Sequence, residues 1–311
     1  VAGAVSPDVA KSNAVGVATV DGTKATIELL DGILTLEGQT TYSGAAAAKL
    51  NGCLVTVSSY KRDYLTLSKV NGKGASTALN LTTNRMGTKE LSAGARFFEQ
   101  VSNGRLVEID RSDITITSIP ANKITYVGYD WAGRVDKLVL NDVTGDRYDY
   151  GIIHYQPAGY QETPGNPNGN GEYKNGEISV TNGSFPKGMT PYVVGSVDGA
   201  KTNRMGGVAG SLDQLDGQNR MAAFMPLNEA KGIRRAQFDT DAMLLTTNSM
   251  VIPISDAVEC YNKTTGDWFK PGEDGDHKAA LNLALAFSDD ITVYYDRSPE
   301  EGGKVRIVVV E

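Results

Sequence analysis

The sequence predicts a mainly β fold: two related β-barrel or β-sandwich-like domains in tandem, with a few short helices. The first observation is a stretch that occurs twice, as ITYVGYDWAGRVDKLVLN at residues 124–141 and as ITVYYDRSPEEGGKVRIVVVE at residues 291–311. The second is a pair of Asp-Gly dipeptides, at Asp21 and Asp31, which favour hairpin turns. The third is composition, because 35 glycines and more tyrosine (14) than phenylalanine (7) are typical of short strands joined by turns.

Each copy of the repeated stretch predicts a β-hairpin. Both begin with Ile-Thr and close a first apolar run on an aspartate, Asp130 or Asp296. A glycine-containing turn follows, and then a basic residue and a valine open a second apolar run. Two apolar runs around a polar loop that contains glycine indicate a hairpin.

Shorter matches extend the repeat upstream of the hairpin. LTTNRM at residues 81–86 matches LTTNSM at residues 245–250, Leu91 falls opposite Ile254, and Phe97 falls opposite Cys260. A nearly constant shift of this length suits a duplicated domain and is too long for a solenoid repeat. The alternative is that β-rich sequence with many threonines and asparagines produces short look-alikes.

The repeat divides the chain into a first β domain at 1–156, a linker rich in Pro, Gly and Asn at 157–177, and a second β domain at 178–311 that is a divergent repeat of the first. We expect residues 1–11 to form a tail with one short helical turn. Helices are expected at 43–50 and 227–236, while the apolar run 277–287 fits either a helix or a buried strand. The start at Val1, without methionine, suggests a processed or truncated product.

Charge and cysteine content narrow the class of function. A net charge of −7 without clustered Lys and Arg argues against a nucleic-acid partner. No apolar run approaches the roughly 18 residues that a membrane span needs. Cys53 and Cys260 fall in different predicted domains, and we expect both to be buried free thiols.

The sequence contains no motif of catalysis, cofactor binding or metal binding. A nucleophilic triad would have to use His154 or His277, which fall in different predicted domains. Phosphate-loop, dinucleotide and zinc patterns are missing, and the acidic loops 141–146 and 273–276 lack the full spacing of a calcium site. We therefore predict no catalytic residue, no cofactor and no metal. A pair of carboxylates among the 37 acidic residues stays open as an alternative.

Four aromatic residues are the candidate surface contacts: Tyr129, Trp131, Tyr148 and Tyr150. Aromatic rings beside polar groups bind sugar faces or other proteins. The alternative is that alternate rings pack inside a sheet. A second candidate contact is the valine run at residues 308–310, because a bare strand at the end of a β domain leaves an open sheet edge. We expect that edge to be covered by a neighbouring strand or by another copy of the chain, which would produce self-association.

Residues 126–151, YVGYDWAGRVDKLVLNDVTGDRYDYG, resemble segments of large surface proteins of Gram-positive gut bacteria. Those segments are β-rich regions of proteins that carry S-layer homology modules elsewhere, and this chain does not contain the module itself. The resemblance covers about 25 residues and carries over no catalytic residue. It implies an exported, cell-surface protein, with other surface proteins or cell-wall glycan as partners.

These observations predict a non-enzymatic structural or adhesive region of a bacterial surface protein of the S-layer type. The alternative is a carbohydrate-binding module, for which the aromatic group near Trp131 would form an exposed platform. A third reading, a glycan-acting enzyme, would need a cleft between the domains with two acidic side chains facing each other.

Overall fold

The structure is a computed structural model that describes residues 14–30, 35–42, 44–70, 74–162 and 169–311. It confirms the mainly β fold. The chain forms two compact units, of which the first comprises residues 1–109, 118–141 and 211–213, and the second residues 110–117, 142–210 and 214–311. The predicted tail at 1–11 and the predicted turn at Asp31 lie outside the described residues.

The first unit holds a barrel followed by an open sheet. Its strands and helix are β1 (Ala14–Asp21), β2 (Lys24–Leu29), β3 (Thr35–Thr40), α1 (Gly44–Ala48), β4 (Leu54–Lys61), β5 (Tyr64–Lys69), β6 (Leu79–Asn80), β7 (Arg85–Met86), β8 (Lys89–Gln100), β9 (Val107–Ile109), β10 (Ser118–Ile119), β11 (Ile124–Tyr129) and β12 (Val135–Asn141), with a 3-10 turn at Ala121–Lys123.

The second unit holds the same two parts. Its elements are β13 (Asp149–Gln156), β14 (Gly159–Glu162), β15 (Gly171–Lys174), β16 (Gly176–Thr181), β17 (Tyr192–Val194), β18 (Met205–Leu215), β19 (Gln218–Pro226), β20 (Asn228–Ile233), β21 (Phe238–Asp239), β22 (Leu244–Thr246), β23 (Val251–Asn262), β24 (Asp267–Phe269), α2 (His277–Phe287), β25 (Ile291–Tyr295) and β26 (Val305–Val310), with 3-10 turns at Arg111–Asp113, Arg235–Gln237, Glu273–Gly275 and Pro299–Glu301.

The first barrel closes in the order β1-β2-β3-β5-β4. Strands β3 and β5 are parallel, and α1 connects β3 to β4. This connectivity is that of the OB fold, a five-stranded Greek-key barrel. Alternate residues of its strands fill the interior, as Ala25, Ile27 and Leu29 do on β2. The predicted turn at Asp21 is present, with Gly22 at a φ of +62° that favours glycine.

The second barrel repeats that order as β13-β16-β17-β19-β18, again with one parallel pair, β17 and β19. The hairpin β14–β15 is inserted between its first two strands. The interior is apolar, with Ile153, Ile178 and Val208 fully buried.

The second barrel begins earlier in the chain than the second domain that the sequence predicts. Strand β13 falls inside the predicted first domain, yet it pairs with β16 and β18. The predicted linker 157–177 supplies β14, β15 and the start of β16. The described parts of this stretch are paired strands, and a composition rich in Pro, Gly and Asn does not by itself distinguish a segment within a domain from a tether between domains.

The two open sheets share one topology. The first runs β11-β12-β8-β7-β6-β10 with β9 paired to β8, and the second runs β20-β25-β26-β23-β22-β21 with β24 paired to β23. In each sheet the long strand lies parallel to the second strand of the repeated hairpin. In both sheets a bulge interrupts this parallel pairing. Between the two paired positions that flank it, the hairpin strand advances by two residues and the long strand by five.

The register places aligned residues at equivalent positions. Phe97 pairs with Leu138 and Ile109, and Cys260 pairs with Val308 and Phe269. The two hairpin turns also share a hydrogen bond from the basic residue to the aspartate. Arg134 N donates to Asp130 Oδ1 at 2.9 Å, and Lys304 N donates to Asp296 Oδ1 at 2.8 Å. Cys53 and Cys260 are buried free thiols.

One part of the sequence alignment is wrong. The threonine-rich match sets Leu81 opposite Leu245, whereas the strand pairing sets Met86 opposite Leu245. In the first copy residues 81–84 form a turn before β7, whereas in the second copy residues 245–246 belong to β22 and residues 247–250 follow it. Thr and Asn recur in turns for local hydrogen bonding, so their order does not report strand register.

The helix predictions have mixed outcomes. Residues 44–48 form α1, and the ambiguous run 277–287 is helix α2, which buries Leu281, Ala284 and Leu285. The helix predicted at 227–236 is wrong, because Asn228–Ile233 forms strand β20 and pairs with β25. The residues there favour a helix, but pairing with a neighbouring strand contributes more to stability than intrinsic helix propensity does.

The C-terminal strand is not an edge. Strand β26 lies between β25 and β23, and it hydrogen-bonds to both. A neighbouring strand of the same chain therefore covers the predicted edge. The expectation of self-association through this edge is wrong, because neither side of β26 is left for a strand of another copy.

Candidate functional site

Two of the four predicted contact residues lie together at the tip of the β11–β12 hairpin. The Trp131 side chain is 96% exposed and that of Tyr129 is 53% exposed. Lys89 Nζ lies 5.8 Å from the centre of the Tyr129 ring. We call Lys89, Tyr129 and Trp131 the hairpin-tip patch.

The turn beneath this patch is held by one carboxylate. Asp130 Oδ1 accepts hydrogen bonds from Ala132 N and Arg134 N, both at 2.9 Å, and Asp130 Oδ2 accepts one from Arg134 Nε at 2.9 Å. Gly133 takes a φ of +78°, which closes the turn without strain. The exposed indole is therefore presented from a rigid turn.

The other two predicted contact residues are buried in the second unit. Tyr148 is 8% exposed and Tyr150 is 7% exposed. Tyr148 Oη donates to Asp142 Oδ2 at 2.9 Å, and Tyr150 Oη donates to the Gly145 carbonyl at 2.6 Å. The sequence predicts rings that face solvent, but here the two rings pack against each other with their centres 5.9 Å apart, and Tyr150 also lies against Arg306.

Both tyrosines border a buried cluster of charges. The Arg306 guanidinium donates to Asp146 Oδ1 at 2.7 Å, to Asp296 Oδ2 at 3.0 Å and to the Thr144 carbonyl at 2.7 Å. Its Cζ lies 4.9 Å from the centre of the Tyr150 ring. Burial alone would raise the pKa of Asp146, but the charges of Arg306 and Lys304 hold that pKa below its usual value.

A pocket of about 310 Å³ opens beside this cluster, within the second unit. The start of β13, the turn after β16, the bulge of β23, the first residue of α2 and strand β26 all contribute side chains to it. The lining includes Asp149, Ser184, Phe185, Asp256, Glu259 and His277. None of these positions was singled out from the sequence except His277.

Glu259 is buried at the inner side of the pocket. Its Oε2 accepts from Gly183 N at 3.0 Å and its Oε1 from Ser184 Oγ at 3.3 Å. His277 Nδ1 lies 3.9 Å from Glu259 Oε1 and 3.0 Å from the Val258 carbonyl. Burial, reinforced by the charge of Asp149, raises the pKa of Glu259 to about 7 in spite of these hydrogen bonds.

Asp149 is the second carboxylate of the pocket. Burial raises its pKa above the usual value. Among the described residues it has no ion-pair or hydrogen-bond partner for its carboxylate. Two acidic side chains thus meet in one pocket, which is the feature that the reading as a glycan-acting enzyme requires. The pocket lies within one unit, whereas that reading placed it between domains.

The first copy of the sheet lacks this arrangement. At the position of Glu259 it carries Arg96, which pairs with the exposed Glu108 through two bonds of 2.8 Å. At the position of Arg306 it carries Asp136. The charged pocket is therefore particular to the second copy and is not a consequence of the shared topology.

A second concave surface lies on the second barrel. A groove of about 440 Å³ is lined by Tyr173, by β17 and by Arg220 and Met221 of β19. Tyr173 pairs across the hairpin with Tyr160, and both rings are exposed. Tyr160 is fixed in place, since its hydroxyl accepts from Gly171 N and donates to the Gly169 carbonyl. We call this surface the barrel groove.

The remaining candidates have structural roles. His154 lies exposed on β13 and hydrogen-bonds Thr181. In the loop 141–146, Asp142 pairs with Arg297 and Asp146 with Lys304 and Arg306, so basic side chains occupy both carboxylates. In the loop 273–276, Asp276 caps α2. Within the described part of the chain no group of three or more His, Cys, Asp or Glu residues is placed to hold a metal ion.

Comparison with known proteins gives no relative: no protein-family model, no curated protein and no solved structure matches this chain. None of the helices in the described ranges has the length and apolar character that crossing a membrane requires.

Proposed function

We propose that this chain is a non-enzymatic structural and adhesive region of a bacterial cell-surface protein. It attaches through the hairpin-tip patch to other surface proteins or to cell-wall glycan. The observation that carries the proposal is Trp131, which is 96% exposed on a turn that hydrogen bonds hold rigid.

An indole in that setting is suited to binding. Tryptophan is enriched among the residues that dominate binding energy, because it buries a large area and has few rotatable bonds. A ring on a preformed turn loses little further conformational freedom on binding. The resemblance of residues 126–151 to regions of surface proteins supports the location outside the cell.

The test measures retention of the chain on purified Gram-positive cell walls, either untreated or stripped of protein by protease. We expect the wild type to be retained and Trp131→Ala to lose about tenfold or more in affinity. The matched control is Tyr64→Ala, which removes an exposed ring from the first barrel. Retention on untreated walls alone identifies a protein partner, and retention on both identifies glycan. The proposal fails if neither wall retains the chain, or if the two variants behave alike.

The second candidate function is carbohydrate binding in the barrel groove. The observation that favours it is the exposed Tyr160–Tyr173 pair beside a concave surface, at the place where OB barrels bind oligosaccharides. In the same assay, this reading expects Tyr173→Ala to weaken retention on stripped walls and Trp131→Ala to leave it unchanged. Equal retention of wild type and Tyr173→Ala would dismiss it.

A further inference from the structure

We propose that the pocket of the second unit binds a small ligand through a primary ammonium group, with Asp149 as the carboxylate that receives it. This site is separate from the hairpin-tip patch, which belongs to the first unit, and its test uses no adhesion assay.

The first argument is the charge that the pocket leaves uncompensated. Five carboxylates and three basic side chains line it. All three basic side chains are engaged, because Lys304 and Arg306 both bind Asp146 and Arg147 has a partner of its own. Asp149 and Asp256 have no basic partner among the residues that the structure describes. A cation bound in the pocket would supply the counter-charge that Asp149 and Asp256 lack.

The second argument is the number and origin of the acceptors. Asp149 comes from the start of β13, while Asp256 and Glu259 come from the bulge of β23. An ammonium group carries three donors that can reach acceptors on separate elements, whereas a guanidinium fork prefers one carboxylate in its plane. Both oxygens of Glu259 already accept hydrogen bonds, so among the described residues Asp149 and Asp256 provide the open carboxylate acceptors.

The third argument is shape. A volume of about 310 Å³ accommodates an amino sugar or the end of a lysine side chain. Phe185 lines the pocket and is partly exposed, so it offers an aromatic surface for the carbon part of the ligand. Ser184 Oγ, which donates its proton to Glu259, can accept a hydrogen bond from a sugar hydroxyl.

The fourth argument is the difference between the copies. The equivalent position in the first sheet holds Arg96, a cation on the surface, where the second holds the buried Glu259. Both sheets keep the same bulge, so folding alone does not demand a buried carboxylate there. The acceptors are thus an addition to a frame that folds without them.

The experiment titrates the full chain by calorimetry at about pH 7, where most amines are protonated. One arm uses D-glucosamine and its neutral control N-acetyl-D-glucosamine, and the other uses Nα-acetyl-lysine methylamide and its Nε-acetylated form. We expect at least one ammonium probe to bind, and its acetylated control to bind about tenfold or more weakly. The arm that binds more tightly tells an amino sugar from a lysine side chain.

The variant Asp149→Asn should weaken binding of that probe about tenfold or more. The control Asp241→Asn, which changes a fully exposed aspartate, should leave binding unchanged. Without ligand, Asp149→Asn should melt at a higher temperature than the wild type, because it removes a buried charge that lacks a counter-charge. The assignment is overturned if no ammonium probe binds, if the acetylated probes bind equally well, or if Asp149→Asn keeps its affinity or melts at a lower temperature.

Discussion

Arg306 connects several segments of the second unit through the hydrogen bonds of one side chain. Its guanidinium is almost fully buried, yet it bonds two carboxylates and a backbone carbonyl. Gly145 leaves room for this arrangement, because a Cβ there would collide with Asp296 and Arg306. A buried charge is costly to transfer from water, so removing one partner leaves the others in a worse state than if the whole cluster were apolar.

The first prediction follows from this cluster. Arg306→Met should destabilise the second unit by about 3–5 kcal/mol, because Asp146 and Asp296 would remain buried with less compensating charge. The measurement is unfolding in urea. The control Arg96→Met breaks an exposed pair in the first unit and should cost at most about 1 kcal/mol. Equal effects of the two substitutions would contradict the role of the cluster.

The second prediction concerns Glu259 and pH. Its folded-state pKa of about 7 lies above the usual 4.5, so the stability that its protonated form contributes is complete below about pH 4.5 and is lost as the pH rises through 7. Glu259→Gln keeps a neutral side chain at every pH. The variant should therefore match the wild type near pH 4 and exceed it by up to about 3 kcal/mol near pH 8.

Urea unfolding at several pH values measures this difference. The control Glu108→Gln, in the exposed pair with Arg96, should change stability by less than about 1 kcal/mol across the same range. A difference between wild type and Glu259→Gln that stays constant with pH would show that Glu259 does not titrate as described.

At the residue scale the sequence predicted the exposed hairpin tip but not the pocket. Asp130 and Gly133 are residues that predict a tight turn, so the exposure of Trp131 follows from its neighbours in sequence. Asp149 and Glu259 are far apart in sequence and meet only through the pairing of distant strands. The sequence predicts Tyr148 and Tyr150 at the surface for the same reason, because the residues that bury them, such as Arg306, are distant in sequence.

At the scale of elements, helix α2 illustrates how one residue fixes a boundary. Asp276 Oδ1 accepts hydrogen bonds from Lys278 N at 3.0 Å and Ala279 N at 3.3 Å. These bonds satisfy backbone groups that have no partner within the helix. The helix buries Leu281 and Leu285, so its start influences the packing of the second sheet.

The third prediction tests this cap. Asp276→Ala should lower the free energy of unfolding by about 1 kcal/mol, whereas Asp276→Asn, which keeps a side-chain oxygen, should lower it much less. Urea denaturation measures both. If the two variants lose the same stability, the cap contributes nothing and the helix is held by its buried face alone.

Element predictions succeeded where the signal was local. The two hairpins are set by apolar runs around a glycine turn, and both form. The helix prediction at 227–236 failed because the residues of β20 favour a helix, while the strand β25 that pairs with them lies far downstream. The run 277–287 was ambiguous because a short apolar stretch fits both states, and the cap at Asp276 resolves it.

At the scale of the molecule, one frame of a five-stranded barrel and a seven-stranded sheet is built twice. Sequence similarity survives in the sheets and revealed the repeat there. It is lost in the barrels, where an apolar alternating pattern accepts many substitutions, so the first strand of the second barrel was assigned to the wrong side of the boundary. The second copy then departs from the first at the positions of Glu259 and Arg306, where the pocket forms.

The most direct test of this account is amide hydrogen exchange of the whole chain, followed strand by strand. Strands β12 and β26 occupy the same place in the two sheets, each paired on both sides. Both should be among the slowest-exchanging segments of their units, since central strands open only with large-scale unfolding. Fast exchange across Val305–Val310, as for a free edge at the chain end, would contradict the doubled frame on which the pocket and the hairpin-tip patch both depend.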